Sequence, residues 1–394
     1  MSKAFSQYSK INSPPKRGLI FYLVVIACFI TIISQMPALV EVGISSAISS
    51  IVWIIVFFVL CIVDKEITIY KDLKLIIIMS TTVLAFWGIA SVFDKSYSYS
   101  DIPRQMALSM FIMVIGSMCG KHIDRNMLKA CFTVYVWATL AVTISIYFSY
   151  IKGSSINNII YAYSSKNSVS QIILTSIILT IINKLTCDRP FAKIIYSLIT
   201  AFNVYMLIAL KSRACLIMLP IIILVILCTK DFNKKIKTFL VIILFIITLA
   251  FLFSPELYEI IINQVMLGGR KGTGLDSLSS GRFSQWRLFW ADFTEYPLFG
   301  KGGRHRESLI LTSYLEYGFF FGSLILIIAC YPIIWCIKKI TSKDALFTTL
   351  FLIVISYIIN GVFEMLAPFG PGVKCFMMWF LMGLITTIKY KEMF

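Results

Sequence analysis

Charge is scarce along this chain: only 14% of its 394 residues are Asp, Glu, Lys or Arg, where a soluble domain carries about 25%. Histidine is nearly missing, with His122 and His305 the only two. The ten cysteines include no Cys-x-x-Cys pair and no Cys/His spacing, which removes a zinc site and a disulfide framework from consideration. No Gly-rich phosphate loop is present, so a nucleotide-sugar pocket is not expected, and no Asp-x-Asp pair offers a metal-diphosphate site. Internal repeats and low-complexity segments are also lacking. The net charge of +17 is spread over short loops between apolar runs, a pattern suited to anionic lipid rather than to nucleic acid.

What is abundant is apolar surface. Hydrophobic residues make up 59% of the chain and the mean hydropathy is +0.87. The runs are about 20 residues long, the length that crosses ~30 Å of hydrocarbon as a helix. The expected fold is therefore all-α, a single polytopic membrane domain over residues 1–394. About twelve spans fall near Leu19–Gln35, Ile44–Val63, Leu73–Phe93, Gln105–Cys119, Leu128–Ile151, Val169–Leu185, Phe191–Leu210, Ala214–Thr229, Ile236–Ser254, Ser308–Ile337, Ala345–Leu366 and Val373–Ile388. One unbroken helix over 191–229 would be about 58 Å long at 1.5 Å per residue, so a tight hairpin is expected at Lys211-Ser212-Arg213. No small-residue cleavage site follows the first run, which is expected to remain as a helix. Placing both termini in the cytoplasm puts 22 Lys and Arg on inner segments and 14 on outer ones, seven of those in one large loop, the bias that orients helical membrane proteins.

That loop, Pro255–Glu307, is the longest outside the apolar runs, and loops of such length are usually functional or disordered. Its early part, Gly268–Gly274, has the composition of a mobile lid. An amphipathic helix is expected near 280–296: Ser279 or Ser280 as N-cap, then Phe283, Trp286, Phe289, Trp290 and Phe293 at helical spacing, with Pro297 as the stop. It should lie at the outer membrane interface. Arg282 in its first turn opposes the helix dipole and suits a bound anion. Arg213 sits at an outer hairpin against the charge bias. Contacts to lipid phosphates and snorkelling explain these arginines equally well on residues alone. Arg304-His305-Arg306-Glu307 closes the loop. Burial of Glu307 against apolar surface would raise its pKa toward that of a useful base. Mid-span interiors are almost free of charge; Glu316 and Glu364 are exceptions, each within about three turns of an outer end.

Three stretches resemble the bacterial O-antigen polymerase and O-antigen ligase superfamily of inner-membrane glycan transferases. Lys211-Ser212-Arg213-Ala214 before an apolar run resembles its Ser/Thr-Arg hairpin. Ser280-Gly281-Arg282, then Trp286 or Trp290, then Pro297-Leu298-Phe299-Gly300-Lys301-Gly302 resembles its large-loop signature. Glu307-Ser308, then Leu315-Glu316-Tyr317-Gly318 and Gly322, resembles the motif opening the next helix. Ligases commonly carry His-Asn where Glu307-Ser308 stand; an acidic residue there is more like the polymerases, while His305 lies two residues earlier.

The resemblance implies transfer of a glycan from undecaprenyl diphosphate at the periplasmic face, without cofactor or metal. Fixed cations would then neutralise the departing diphosphate: Arg213 and Arg282, with Arg287, Arg304 and Arg306 in reserve. One Arg–phosphate contact at ~4 Å is of order 4 kcal/mol at an effective dielectric near 20, before desolvation. Glu307 or His305 would take the acceptor proton, a contribution of roughly 10²–10⁴ in rate; with Glu307 as base, Glu307→Gln is expected to lose more activity than His305→Ala. The partners implied are the lipid-linked oligosaccharide, membrane lipids, a chain-length regulator and a flippase. The expected activity is a Wzy-type polymerase joining lipid-linked repeat units. The rivals are a ligase that moves finished polymer to lipid A core, and a polysaccharide transporter or flippase. A transporter predicts mid-membrane charge, which the sequence largely lacks.

Overall fold

In the computed structural model, residues 18–64, 71–152, 166–229, 234–266, 281–337, 345–370 and 375–393 are described. Among them the regular structure is helical and no strand occurs. Twelve long helices fall on the twelve apolar stretches: α1 Leu19–Ile33, α2 Ser45–Asp64, α3 Lys71–Phe93, α4 Ile102–Cys119, α5 Arg125–Ile146, α6 Lys166–Thr186, α7 Pro190–Ala209, α8 Arg213–Cys228, α9 Lys234–Phe253, then, after α10 (Arg282–Glu295) in the large loop, α11 Leu309–Ile337, α12 Ala345–Phe363 and α13 Phe376–Met393. Seven helices among the described residues are long and apolar enough to cross a membrane, and α1, α8 and Phe376–Ile388 are shorter apolar helices. The chain is a membrane protein by this measure. The proposed lid, Gly268–Gly274, and the proposed caps Ser279 and Ser280 lie outside the described residues.

Local chemistry sets several boundaries. Asp124 caps α5 by accepting from the Met127 backbone N–H at 2.7 Å, satisfying one of the donors that a helix start leaves free. Pro190 occupies the first position of α7, where its missing N–H costs nothing. The stretch 191–229 does break at the expected hairpin: α7 ends at Ala209, Lys211 adopts φ +52°, and Arg213 starts α8.

The centre of the bundle is the pair α4 and α13. Gly116 and Gly120 of α4 and Gly383 of α13 allow backbone to touch backbone. A Cβ on Gly383 would stand 2.0 Å from the Met113 carbonyl oxygen, and one on Gly116 2.2 Å from that of Phe380. Ser117 and Thr387 hydrogen-bond across the same seam at 3.2 Å. Small residues and short polar links of this kind hold helices together where lipid gives no hydrophobic drive. Gly383→Ala is accordingly expected to lower thermal stability in detergent by about 1–3 kcal/mol. An unchanged unfolding midpoint would contradict the contact. A second polar seam joins α6, α7 and α12: Gln171 donates to Ser356 at 3.2 Å, Asn203 to Ser176 at 3.3 Å, and Thr175 pairs with Tyr357 at 2.9 Å. By contrast, α2 and α3 keep most of their apolar length at the surface, as at Ile51, Phe58, Ile78 and Phe93.

Contacts between helix ends follow the alternating order of antiparallel neighbours. At one end Tyr150 donates to Glu41, Asn167 donates to Glu364 at 2.6 Å, and the turn after α3 meets the segment before α11. At the other end His122 and Lys121 meet Asp64, and Tyr331 and Trp335 bond to Asp72. His122 lies in a basic loop between α4 and α5. Its Nε2 lies 2.6 Å from the mostly buried carboxylate of Asp64, the last residue of α2, a pairing that linear sequence does not display.

Candidate functional site

Two of the motif stretches, 297–302 and 315–318, meet at a break in α11. Gly318 has φ +65° and ψ −168°, a conformation that is essentially glycine's alone. For one residue the helix stops, and the backbone groups so released need partners. Pro297–Lys301 supplies them: the Phe319 N–H donates to the Pro297 carbonyl at 2.8 Å, and the Lys301 N–H donates to that of Leu315 at 2.9 Å. Two glycines make the approach possible. A Cβ on Gly318 would lie 2.3 Å from the Leu298 carbonyl, and one on Gly300 (φ +74°) 2.5 Å from the Gly318 nitrogen. The large-loop signature and the helix-opening motif are thus two sides of one backbone junction.

A third strand of chain completes it. Asp94 caps the 3-10 turn Lys95–Tyr99, accepting from the Ser96 N–H at 2.8 Å; that backbone bond holds its carboxyl below the usual range. Tyr97 donates to the carbonyls of Gly300 at 2.9 Å and Phe299 at 3.2 Å. Burial, reinforced by nearby Asp94 and Glu316, pushes its phenol above the ordinary value, so it remains a donor throughout the neutral range. Ser100 then reaches Glu316.

Glu316 is fully buried, alone in this among the acidic and basic side chains of the described residues. Its Oε2 accepts from the Ser100 hydroxyl, and Tyr317 donates to that hydroxyl at 2.6 Å. Its Oε1 faces Nδ1 of His305 at 2.8 Å, a close contact whose angle is not aligned as a hydrogen bond. His305 itself is half-exposed. The burial anticipated for Glu307 is found at Glu316 instead: the Glu307 side chain is exposed, and its backbone N–H takes the Gln285 side-chain oxygen at 3.2 Å.

The aromatic helix is present as α10, beginning after Gly281 in a left-handed conformation and ending before Pro297. Its face does not lie wholly against lipid. Phe289 is buried against Leu311 and Leu315, with Phe293 and Tyr314 beside them, while Phe283, Trp286 and Trp290 stay exposed. Asp292 and Glu295, near its C-terminus, hold the arginines that follow. Arg304 lies 2.8 Å from Glu295 and 3.6 Å from Asp292, and Arg306 pairs with Asp292. These two reserve cations are therefore committed to docking α10. The signal for this was two carboxylates at the helix end that opposes negative charge. Arg287 is exposed on α10. Arg282 starts the helix, and its side chain lies outside the described residues.

Arg213 opens α8 within electrostatic reach of Lys166, with Lys211 and Glu364 in the same group. Gly361, one turn before Glu364, packs near Leu309, two residues after Glu307. The Arg213 hairpin and the His305–Glu316 junction thus occupy the same end of the bundle. Residues 198–324 match the family model described as O-antigen ligase. That segment is similar to the O-antigen polymerase and ligase superfamily. The match takes in the Arg213 hairpin, α10, the 297–302 loop and the Gly318 break, and it supports the O-antigen polymerase or ligase class. Ser100 and Tyr97 come from outside it. No curated protein matches the chain.

Proposed function

We propose that this chain is a Wzy-type polymerase that joins lipid-linked oligosaccharide repeat units at the periplasmic face of the bacterial inner membrane. The growing glycan is the donor on undecaprenyl diphosphate, and the next lipid-linked repeat unit is the acceptor. In this reading the chain crosses the bilayer twelve times, both termini are cytoplasmic, and the loop 255–307 is periplasmic. The alternating contacts of helix ends support that topology. The observation carrying the reading is the gathering of the superfamily's motif segments at one end of the bundle, together with Glu307-Ser308 where ligases commonly carry His-Asn.

Catalysis follows from charge placement. As the anomeric carbon–oxygen bond breaks, charge grows on the diphosphate, and Arg213 faces it with Arg282 as partner. A guanidinium matches phosphate with two parallel hydrogen bonds, which an ammonium cannot do. A ligase acting on lipid A core is the second reading, favoured by an imidazole at the site, His305 on Glu316. Purified protein in liposomes, supplied with lipid-linked repeats and with lipid A core as competing acceptors, separates the two. Elongated lipid-linked glycan without core product is expected. Glycan on core alone makes the protein a ligase, and movement of lipid-linked glycan across the bilayer without covalent change makes it a flippase.

A further inference from the structure

We infer that Glu316 and Ser100 are positioning residues that hold the His305 imidazole as the base for glycan transfer. The inference rests on the transferase reading above and concerns residues to which that reading gives no task. Taking a carboxylate out of water costs several kcal/mol even after relaxation. A membrane helix gains nothing from this unless the charge does something there. At Glu316 the surroundings specify what that is. Oε2 is fixed from behind by the chain Tyr317 hydroxyl to Ser100 hydroxyl to carboxylate. The remaining oxygen, Oε1, is left toward His305 Nδ1 at 2.8 Å. A small turn of the ring aligns an Nδ1–H donor on it, and the tautomer is then set: Nε2 carries the lone pair. That nitrogen belongs to the part of the pair that reaches solvent, since His305 is 43% exposed and Glu316 is not exposed at all.

The arrangement suits the proton inventory of the reaction. The acceptor hydroxyl oxygen bonds to the anomeric carbon while its proton passes to Nε2. The bond from that carbon to the diphosphate oxygen breaks, and the electron pair leaves with the diphosphate. The imidazolium, stabilised by the carboxylate behind it, then returns its proton to water. A buried carboxylate in this position orients the ring and stabilises its cation without itself being protonated. The neighbouring charged groups are already matched: Asp101 with Arg104 at 3.8 Å at the start of α4, and Arg304 and Arg306 with the carboxylates of α10. Tyr97 and Tyr317 complete the surroundings as hydroxyl donors.

The test compares Glu316→Gln, His305→Ala and the double variant in the full-length protein, with lipid-linked repeat units as donor and acceptor. Glutamine keeps the shape and accepts from Ser100 but lacks the charge. The expected result is a kcat at least tenfold lower with KM for the donor within about threefold, Glu316→Asp recovering part of the rate, and a double variant no slower than His305→Ala alone. Losses that multiply in the double variant, or a change confined to KM, would overturn the inference. Nitrogen-15 NMR gives a readout that needs no activity. With two histidines in the chain, the signal lost in His305→Ala identifies that ring. It should show one fixed Nδ1–H tautomer in the wild type and a mixture in Glu316→Gln. An averaging ring in active wild-type protein sinks the positioning role alone. A fixed ring in wild-type protein that transfers no glycan sinks the transferase reading, and the catalytic role falls with it.

Discussion

Alanine at position 318 should leave little folded, active protein. Gly318 holds a backbone conformation that costs any other residue of order 1–3 kcal/mol, and the added methyl would enter the Leu298 carbonyl, 2.3 Å away. Relief of that clash requires Pro297–Lys301 to withdraw. Withdrawal strands the N–H of Phe319 and the carbonyl of Leu315, each worth about 1–3 kcal/mol when left buried without a partner. It also removes the loop that Tyr97 holds and disturbs the strand of chain carrying Ser100. A loss of roughly 3 kcal/mol or more follows, read as a lowered unfolding midpoint in detergent and reduced protein in membranes. Wild-type abundance and product length in Gly318→Ala would show that the break in α11 is dispensable.

Arg213→Lys should reduce glycan transfer by about two to three orders of magnitude, the scale seen when one donor to developing charge is removed, while protein abundance stays unchanged. Position 213 is the first residue of α8, where a basic side chain opposes the helix dipole, and Lys166 and Lys211 add charge of the same sign nearby. Glu364 in the same group carries the opposite charge, and an anionic ligand suits the positive surplus that is left. Lysine preserves the charge but not the paired hydrogen bonds, so the variant isolates geometry from electrostatics. Quantifying lipid-linked products in membranes of the variant decides the matter: accumulated single repeat units are expected, and full-length polymer would remove Arg213 from the diphosphate site.

The helices were legible because lipid imposes a simple rule: about 20 apolar residues, with backbone groups satisfied inside each segment. The hairpin at Lys211-Ser212-Arg213 and the stop at Pro297 followed from length and from proline chemistry. The break at Gly318 could not be read, because a glycine within an apolar run has no mark that separates a tight helix crossing from a left-handed residue. Gly116 and Gly383 look the same in sequence and do the former. Glu307 stands at a membrane mouth, where the sequence alone points to a base. The carboxylate that is buried, Glu316, lies nine residues later inside a span, and its partner Ser100 is 216 positions away. Only folding shows such a pairing. The pairing of Arg304 and Arg306 with Asp292 and Glu295 is hidden from the sequence for the same reason.

The attachment of α10 has a mechanical consequence. The helix is anchored on α11 through Phe289 and Phe293 and tethered through Asp292 and Glu295 by ion pairs at least partly open to water, so salt weakens one attachment and leaves the other intact. Rising ionic strength should therefore swing this helix about its aromatic contact rather than release it. The glycine-packed pair α4 and α13, whose contact carries no ion pair of this kind among the described residues, would stay still.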